Sequence, residues 1–324
     1  MKVFWRKSFI VGSIIYWGLC GKPSFALEDT VFEQKNLQKI TIEPALQEVI
    51  LEEQVEIPIT IELENTADIA QSFLLKAVDF GTLDESGGVA FLGTGDPRDY
   101  DVASWLSIPV SEILVPPASK TKLTVMVTNS GKLAPGGHYG ALLFENSTPN
   151  EAGEGDPYIA VRQVFSSLIY MRKVGGEIFS LKLDEFSYPK NAFFLPKTTS
   201  IRFTNDGNTH VVPRGSIRVT DPLGRTVEKT ILNEESSMIL PKATRKFHED
   251  FSSLGLAWMP GRYTVLLEYR YDGKESYEKK IEKYWYLPVP SVGMGMVLLV
   301  VVILAKTKKW SWKKLRKTLS KKQK

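Results

Sequence analysis

Along most of the chain, apolar and polar residues alternate with a period of two. Val55, Ile57, Ile59, Ile61 and Leu63 are separated by Glu56, Pro58, Thr60 and Glu62, which predicts a strand with one buried and one mostly charged face. The alternation recurs at Leu123-Val125-Val127, Phe179-Leu181-Leu183, Ile201-Phe203, Ile217-Val219 and Tyr263-Val265-Leu267-Tyr269. Turn chemistry separates the runs: Asn205-Asp206-Gly207-Asn208, Asp221-Pro222-Leu223-Gly224 and Asp272-Gly273. Between the two ends, helical periodicity is nearly absent. Many short strands at this spacing predict packed antiparallel sheets rather than a parallel sheet flanked by helices.

The pattern also repeats. Val115-Pro116-Pro117 leads into Lys120 to Leu123, and Leu240-Pro241-Lys242 into Thr244 to Phe247. Nineteen residues after Pro116 stands Pro135-Gly136-Gly137-His138-Tyr139, and nineteen after Pro241 stands Pro260-Gly261-Arg262-Tyr263. Asn65 and Asn205 each close an alternating strand upstream. These ordered matches predict a duplication. The expected fold is all-β: two tandem immunoglobulin-like β-sandwich domains, residues 27–174 and 175–286, followed by one C-terminal transmembrane helix. Gly175-Gly176 forms the hinge. The first domain is longer by two inserts, 81–104 and 146–157. Tyr139 and Tyr263 begin late strands after Pro-Gly, where a tyrosine hydroxyl can turn back to the main chain and pin the corner between two sheets.

The ends differ from this pattern. Lys2, Arg6 and Lys7 precede an apolar run from Phe9 to Cys20, and Ser24-Phe25-Ala26 supplies small residues for cleavage after Ala26, so residues 1–26 read as an export signal. From Tyr284 to Ala305 no residue is charged. This predicts a membrane span at 287–305, with the basic tail 306–324 held in the cytoplasm and the N-terminal domains extracellular. The expected placement is the cell membrane, single-pass. The tail places Trp312, Leu315 and Leu319 at helical spacing, which suits either an interfacial helix or a solvated stop-transfer tail.

Charge follows the same division. Four of the 41 bases lie in residues 1–26 and ten in 306–324, leaving 27 against all 37 acids, a net of −10 between the ends. No nucleic-acid partner is expected, because phosphate neutralisation needs positive charge on the folded surface. The single cysteine, Cys20, falls within the signal, so disulfides, thiolate metal sites and a cysteine nucleophile are excluded from the remainder.

Candidate chemistry is sparse. His138, His210 and His248 have no metal-ligand partner at a useful spacing, and the chain has no Gly-x-Ser-x-Gly elbow, no phosphate-binding glycine loop and no His-Glu-x-x-His. No catalytic residue, cofactor or metal is expected, and the chain reads as a non-enzyme. Asp96, Asp99 and Asp101 are the one acidic group considered for Ca²⁺, but Arg98 lies inside it and EF-hand spacing is missing. A carboxylate pair between Asp79 and Asp101 is the corresponding hydrolase reading.

The stretches Ile40 to Pro44, Val55 to Asn65, Gly87 to Phe91, Val115 to Pro117, Pro135 to Phe144, Phe203 to Asn208 and Pro260 to Tyr263 resemble the WxL-interacting proteins of Gram-positive bacteria. That resemblance implies a peptidoglycan-binding N-terminal domain, a second sandwich and display at the surface. With the topology it yields the expected function: a membrane-anchored adhesion or scaffold protein binding another surface protein or a cell-wall polymer. The alternative is a membrane-tethered assembly chaperone for exported surface or pilus-like subunits, which would offer a strand edge to its client.

Overall fold

The computed structural model describes residues 40–52, 56–92, 100–128, 133–147, 163–255 and 257–321. The strands β1 (Ile40–Glu43), β2 (Leu46–Leu51), β3 (Glu56–Asn65), β4 (Gln71–Thr82), β5 (Val89–Leu92), β6 (Leu106–Ser107), β7 (Glu112–Val115), β8 (Ser119–Thr128), β9 (Gly136–Asn146) and β10 (Val164–Lys173) form two sheets. One has the order β1-β3-β8-β6; the other has the order β2-β10-β9-β4-β5, with β7 also beside β4. β11 (Leu181–Glu185), β13 (Thr198–Asn205) and β16 (Thr244–Asp250) form a third sheet. A fourth runs β12-β19-β18-β14-β15-β17, from β12 (Asn191–Ala192), β19 (Glu278–Tyr286), β18 (Gly261–Arg270), β14 (Arg214–Thr220), β15 (Thr226–Leu232) and β17 (Ser252–Ser253). The architecture is mostly β and immunoglobulin-like.

Alternation decides what each sheet buries. In β3, Ile59, Ile61 and Leu63 are buried and pack with Val125 and Val127 of β8 against Phe73, Leu142, Phe144 and Ile169 of the facing sheet. The opposite face of β3 carries Glu62 and Glu64, which pair with Lys120 across the strands. In the second sandwich Ile201 and Phe203 meet Ile217, Val219, Val265 and Leu267, with Tyr263 and Tyr284 at one end. Burying each large side chain contributes about 1.5–3 kcal/mol, so packing and strand pairing hold both layers together without cross-links.

The repeat acquires a physical meaning here. The buried Asn65 amide donates to the carbonyls of Ile69 (2.8 Å), Val115 (3.1 Å) and Pro116 (3.1 Å), while its Oδ1 accepts from the Ala67 N–H (3.0 Å). Asn205 does the same with Thr209 (2.8 Å), Ile239 (2.9 Å) and the Gly207 N–H (2.9 Å). In each sandwich one asparagine ties the end of a strand to the proline-containing segment that returns beside it.

A third apolar cluster lies between the sandwiches. Val78, Phe80, Tyr139, Ala141 and Tyr170 of the first pack with Leu240 of the second, flanked by Met238 and Ala243. The β4–β5 hairpin reaches across: the Glu85 carbonyl accepts from the Lys246 N–H (2.7 Å) on β16, and the Glu85 carboxylate pairs with Arg202 of β13.

The C-terminal helix α1 (Val289–Lys321) runs past Ala305 into the basic segment without a break. Among the described residues no helix is long and apolar enough to cross a membrane. This overturns the expected transmembrane span at 287–305, and with it the single-pass placement in the cell membrane and a cytoplasmic C-terminus. The continuously aliphatic stretch Val297 to Leu304 accounts for ~12 Å of helix against ~30 Å of hydrocarbon. Glycines at 293 and 295 precede it and bases follow from Lys306.

Candidate functional site

The most distinctive edge in the fold belongs to β10. On one side β9 pairs with it along its whole length, Val164 opposite Glu145 through Lys173 opposite Gly136. On the other side β2 runs parallel to it only from Leu168 to Lys173. The chain enters β2 from Pro44, whose carbonyl accepts from the Ser167 hydroxyl (2.7 Å), and the Ala45 carbonyl accepts from the Leu168 N–H (2.8 Å). Before Pro44 the chain lies in the opposite sheet, where β1 pairs with β3. Among the described residues no strand therefore covers Val164 to Ser167 on that side. Main-chain groups point alternately to the two sides of a strand. With the Leu168 N–H turned toward β2, those of Ser166 and Val164 face the uncovered side. Phe165 points into the sandwich, edge-on to Phe73 with centroids 6.1 Å apart, and Val164 is half-exposed on the other face.

At the other end of β10 the two sandwiches meet around His210, which is buried. Its Nδ1 lies 3.1 Å from the Tyr139 hydroxyl, and its Nε2 donates to Glu48 Oε1 at 3.2 Å. Tyr139 and Tyr170 both stand edge-on to the ring, with centroids 5.8 and 5.6 Å away. The His210 hydrogen bond, reinforced by the charges of Arg172 and Arg214, holds the Glu48 carboxyl below the usual carboxylate range. The main chain locks the same junction. Gly137 N–H donates to the Asn208 carbonyl (2.8 Å), and the Asn208 side chain binds the Ile178 N–H (2.7 Å) and the Gly176 carbonyl (3.0 Å). A Cβ on Gly137 would fall 1.9 Å from the Tyr139 hydroxyl, so only glycine leaves room for that ring.

The residues singled out in the sequence are placed as follows. The Tyr263 hydroxyl donates to the Met259 carbonyl at 3.0 Å, four residues upstream, whereas the Tyr139 hydroxyl meets His210 of the other sandwich. Asp79 is buried, and its Oδ1 accepts from the N–H groups of Val102 (2.8 Å) and Ala103 (2.7 Å), which fixes the turn at the end of the insert. Asp101 gives its carbonyl to His138 Nδ1 (3.2 Å). Asp96, Asp99 and Ala26 lie outside the described residues. Among those described, no three His, Cys, Asp or Glu side chains gather as a metal group. His210, Glu48, Thr209 and the edge of β10 had no distinguishing mark in the sequence beyond the turn before His210.

No family model matches the chain. No curated protein matches it either. Solved structures similar to it include fimbrial chaperones. The class 5 fimbriae chaperone CfaA is 13% identical, with a TM-score of 0.41, covering 78% of this chain and 100% of its own. A chain from a chaperone–tip adhesin complex of CFA/I fimbriae biogenesis gives 13% identity, a TM-score of 0.42 and the same coverage. A chain from the complex of the Salmonella enterica SafA pilin with the SafB chaperone gives 7% identity and a TM-score of 0.40, covering 76% of this chain and 98% of that one. With no family model matching, the expected WxL-interacting membership is withdrawn, and peptidoglycan binding with it. The physical reason lies in the residues that carried the resemblance. Ile59, Ile61, Leu63, Asn65, Val115 and Tyr139 are buried packing and tethering residues, a grammar common to sandwich folds and silent about ligands.

Proposed function

We propose that this protein is an assembly chaperone for exported surface or pilus-like subunits, holding a client strand on the uncovered edge of β10. The observation that carries this reading is the half-covered strand: β2 occupies Leu168 to Lys173 and leaves Val164 to Ser167 open. An open edge with an apolar inner face invites pairing, and folded proteins usually blunt such edges. Here Val164 and Ser166 offer main-chain donors and acceptors, while Phe165 extends the core beneath an added strand. A few main-chain bonds of about 0.5–1.5 kcal/mol each suit reversible capture. In this reading the chain works by strand pairing and not by catalysis.

The test is co-expression with an exported subunit encoded beside it. The expected result is a one-to-one complex in which the amides of Val164 and Ser166 become protected from hydrogen exchange. Ser166→Pro, which removes a donor from the edge, is expected to abolish the complex while the sandwich still melts cooperatively. A complex that protects neither amide, or one that survives Ser166→Pro, would reject the reading.

A further inference from the structure

We propose that the uncovered edge of β19 is a second strand-binding site, selective for an extended segment of a partner protein in which acidic and apolar residues alternate. The duplication of the fold extends to this strand. β11 pairs with β13 in one sheet; after Pro189 the chain crosses to the other, where β12 runs parallel to β19 only at Trp285 and Tyr286. β1 and β2 are divided in the same way at Pro44. On its other side β19 pairs with β18 along its whole length, from Glu278 opposite Tyr269 to Tyr286 opposite Gly261. Among the described residues no strand therefore covers Glu278 to Tyr284 on the β12 side. The Trp285 N–H donates to the Lys190 carbonyl there (2.8 Å). By alternation, the main-chain donors and acceptors of Lys283, Ile281 and Lys279 face the open side.

The side chains define what would pair with them. Tyr284 and Tyr286 are buried, which turns Lys279, Ile281, Lys283 and Trp285 to the outer face, where Ile281 and Trp285 are each 54% exposed. Lys279 meets Glu268 at 2.8 Å, but Glu268 also holds Arg218. Among the described residues no acid pairs with Lys283. On the opposite face the charges are matched, Glu278 with Lys274 and Glu282 with Lys280. Lysines alone would blunt an edge, and they keep two copies of this edge from pairing with each other. Blunting does not account for Ile281 and Trp285, two exposed apolar side chains set between the lysines. An added strand in register would place acids across from Lys279 and Lys283 and apolar side chains across from Ile281 and Trp285. Opposite charges directly across a strand pair are favourable and like charges are not, so the edge selects by charge while the main chain supplies the bonds. This site rests on the second sandwich and stands independently of what pairs with β10.

The experiment titrates the full chain with a short peptide of alternating Val and Asp, reading binding by calorimetry and by hydrogen exchange. The expected result is a one-to-one complex in which the amides of Lys279, Ile281 and Lys283 gain protection, and no complex with the matching peptide of Val and Lys. Lys283→Glu is expected to weaken binding by about tenfold, because it sets like charges across the pair. Ile281→Pro removes an outward donor but none of the bonds to β18, and is expected to abolish binding. Lys283 is exposed, so its variant keeps the test sound even if the proline disturbs the strand. Absence of binding, equal binding of the two peptides, or a complex unchanged by Lys283→Glu would overturn the proposal. So would protection confined to Val164 and Ser166, which would assign the peptide to the β10 edge alone.

Discussion

Asn205 concentrates several main-chain bonds in one side chain. Asn205→Ala would strand the Thr209 carbonyl and the Gly207 N–H away from solvent and take from the Ile239 carbonyl one of its two donors, leaving it the Val211 N–H. The expected loss is about 2–4 kcal/mol in denaturant melts, whereas substituting an exposed residue such as Lys229 should change stability little. Glu228 sets a second test. It is buried in the second sandwich with Oε2 unpartnered, and burial raises its pKa from 4.5 to about 7. A group whose pKa is raised by folding stabilises fully below its unfolded pKa and loses that contribution as pH rises through the folded one. Stability should therefore fall between about pH 4.5 and 7, and Glu228→Gln should remove the fall, making the variant more stable than the parent at pH 8 by about 1–3 kcal/mol. Urea titrations at several pH values would show a flat profile for the variant; a slope equal to the parent's would contradict the assignment. None of this was visible from residue type, because Glu228 differs from Glu62 only in the face it presents.

At the level of elements, the period-two runs became β3, β8, β11, β13, β14 and β18, because alternation specifies which face meets a core. Two-residue strands such as β12 and β17 leave no mark in the sequence, since two residues carry no period. The β4–β5 hairpin adds something that no local pattern encodes. Its tip covers part of β16, an edge strand of the second sandwich, through the Lys246 N–H to Glu85 carbonyl bond and the Arg202 pair. Replacing residues 84–87 by a two-residue turn should speed exchange of the Lys246 amide severalfold while the exchange of Val265, in the core of β18, stays slow. Unchanged exchange of the Lys246 amide would mean that the tip contributes nothing to the edge. The open half of β10 was equally illegible. Its residues read as an ordinary late strand, and only the point at which the chain leaves β1 for β2 decides where cover begins.

For the molecule as a whole, the cluster joining Phe80, Tyr139 and Tyr170 to Leu240 couples two cores that could otherwise melt apart. Calorimetry of the intact chain should give one transition, and Leu240→Ser, which places a polar group in that cluster, should split it into two. A split already present in the parent would show that the junction contributes little.

The division between sequence and structure follows from the range of each interaction. Alternation, turn residues and the repeated asparagine and proline positions act over a few residues, so the chain by itself determined a mostly β, immunoglobulin-like fold, and its single cysteine excluded a disulfide within the chain. The same local grammar is shared by many sandwiches, which is why it pointed to a family that the comparisons do not support. Which edge stays open and which histidine is buried between sandwiches depend on residues 71 to 162 positions apart, such as Tyr139 with His210 and Glu48 with His210. Packing alone brings those groups within reach, and only the tertiary structure decided them.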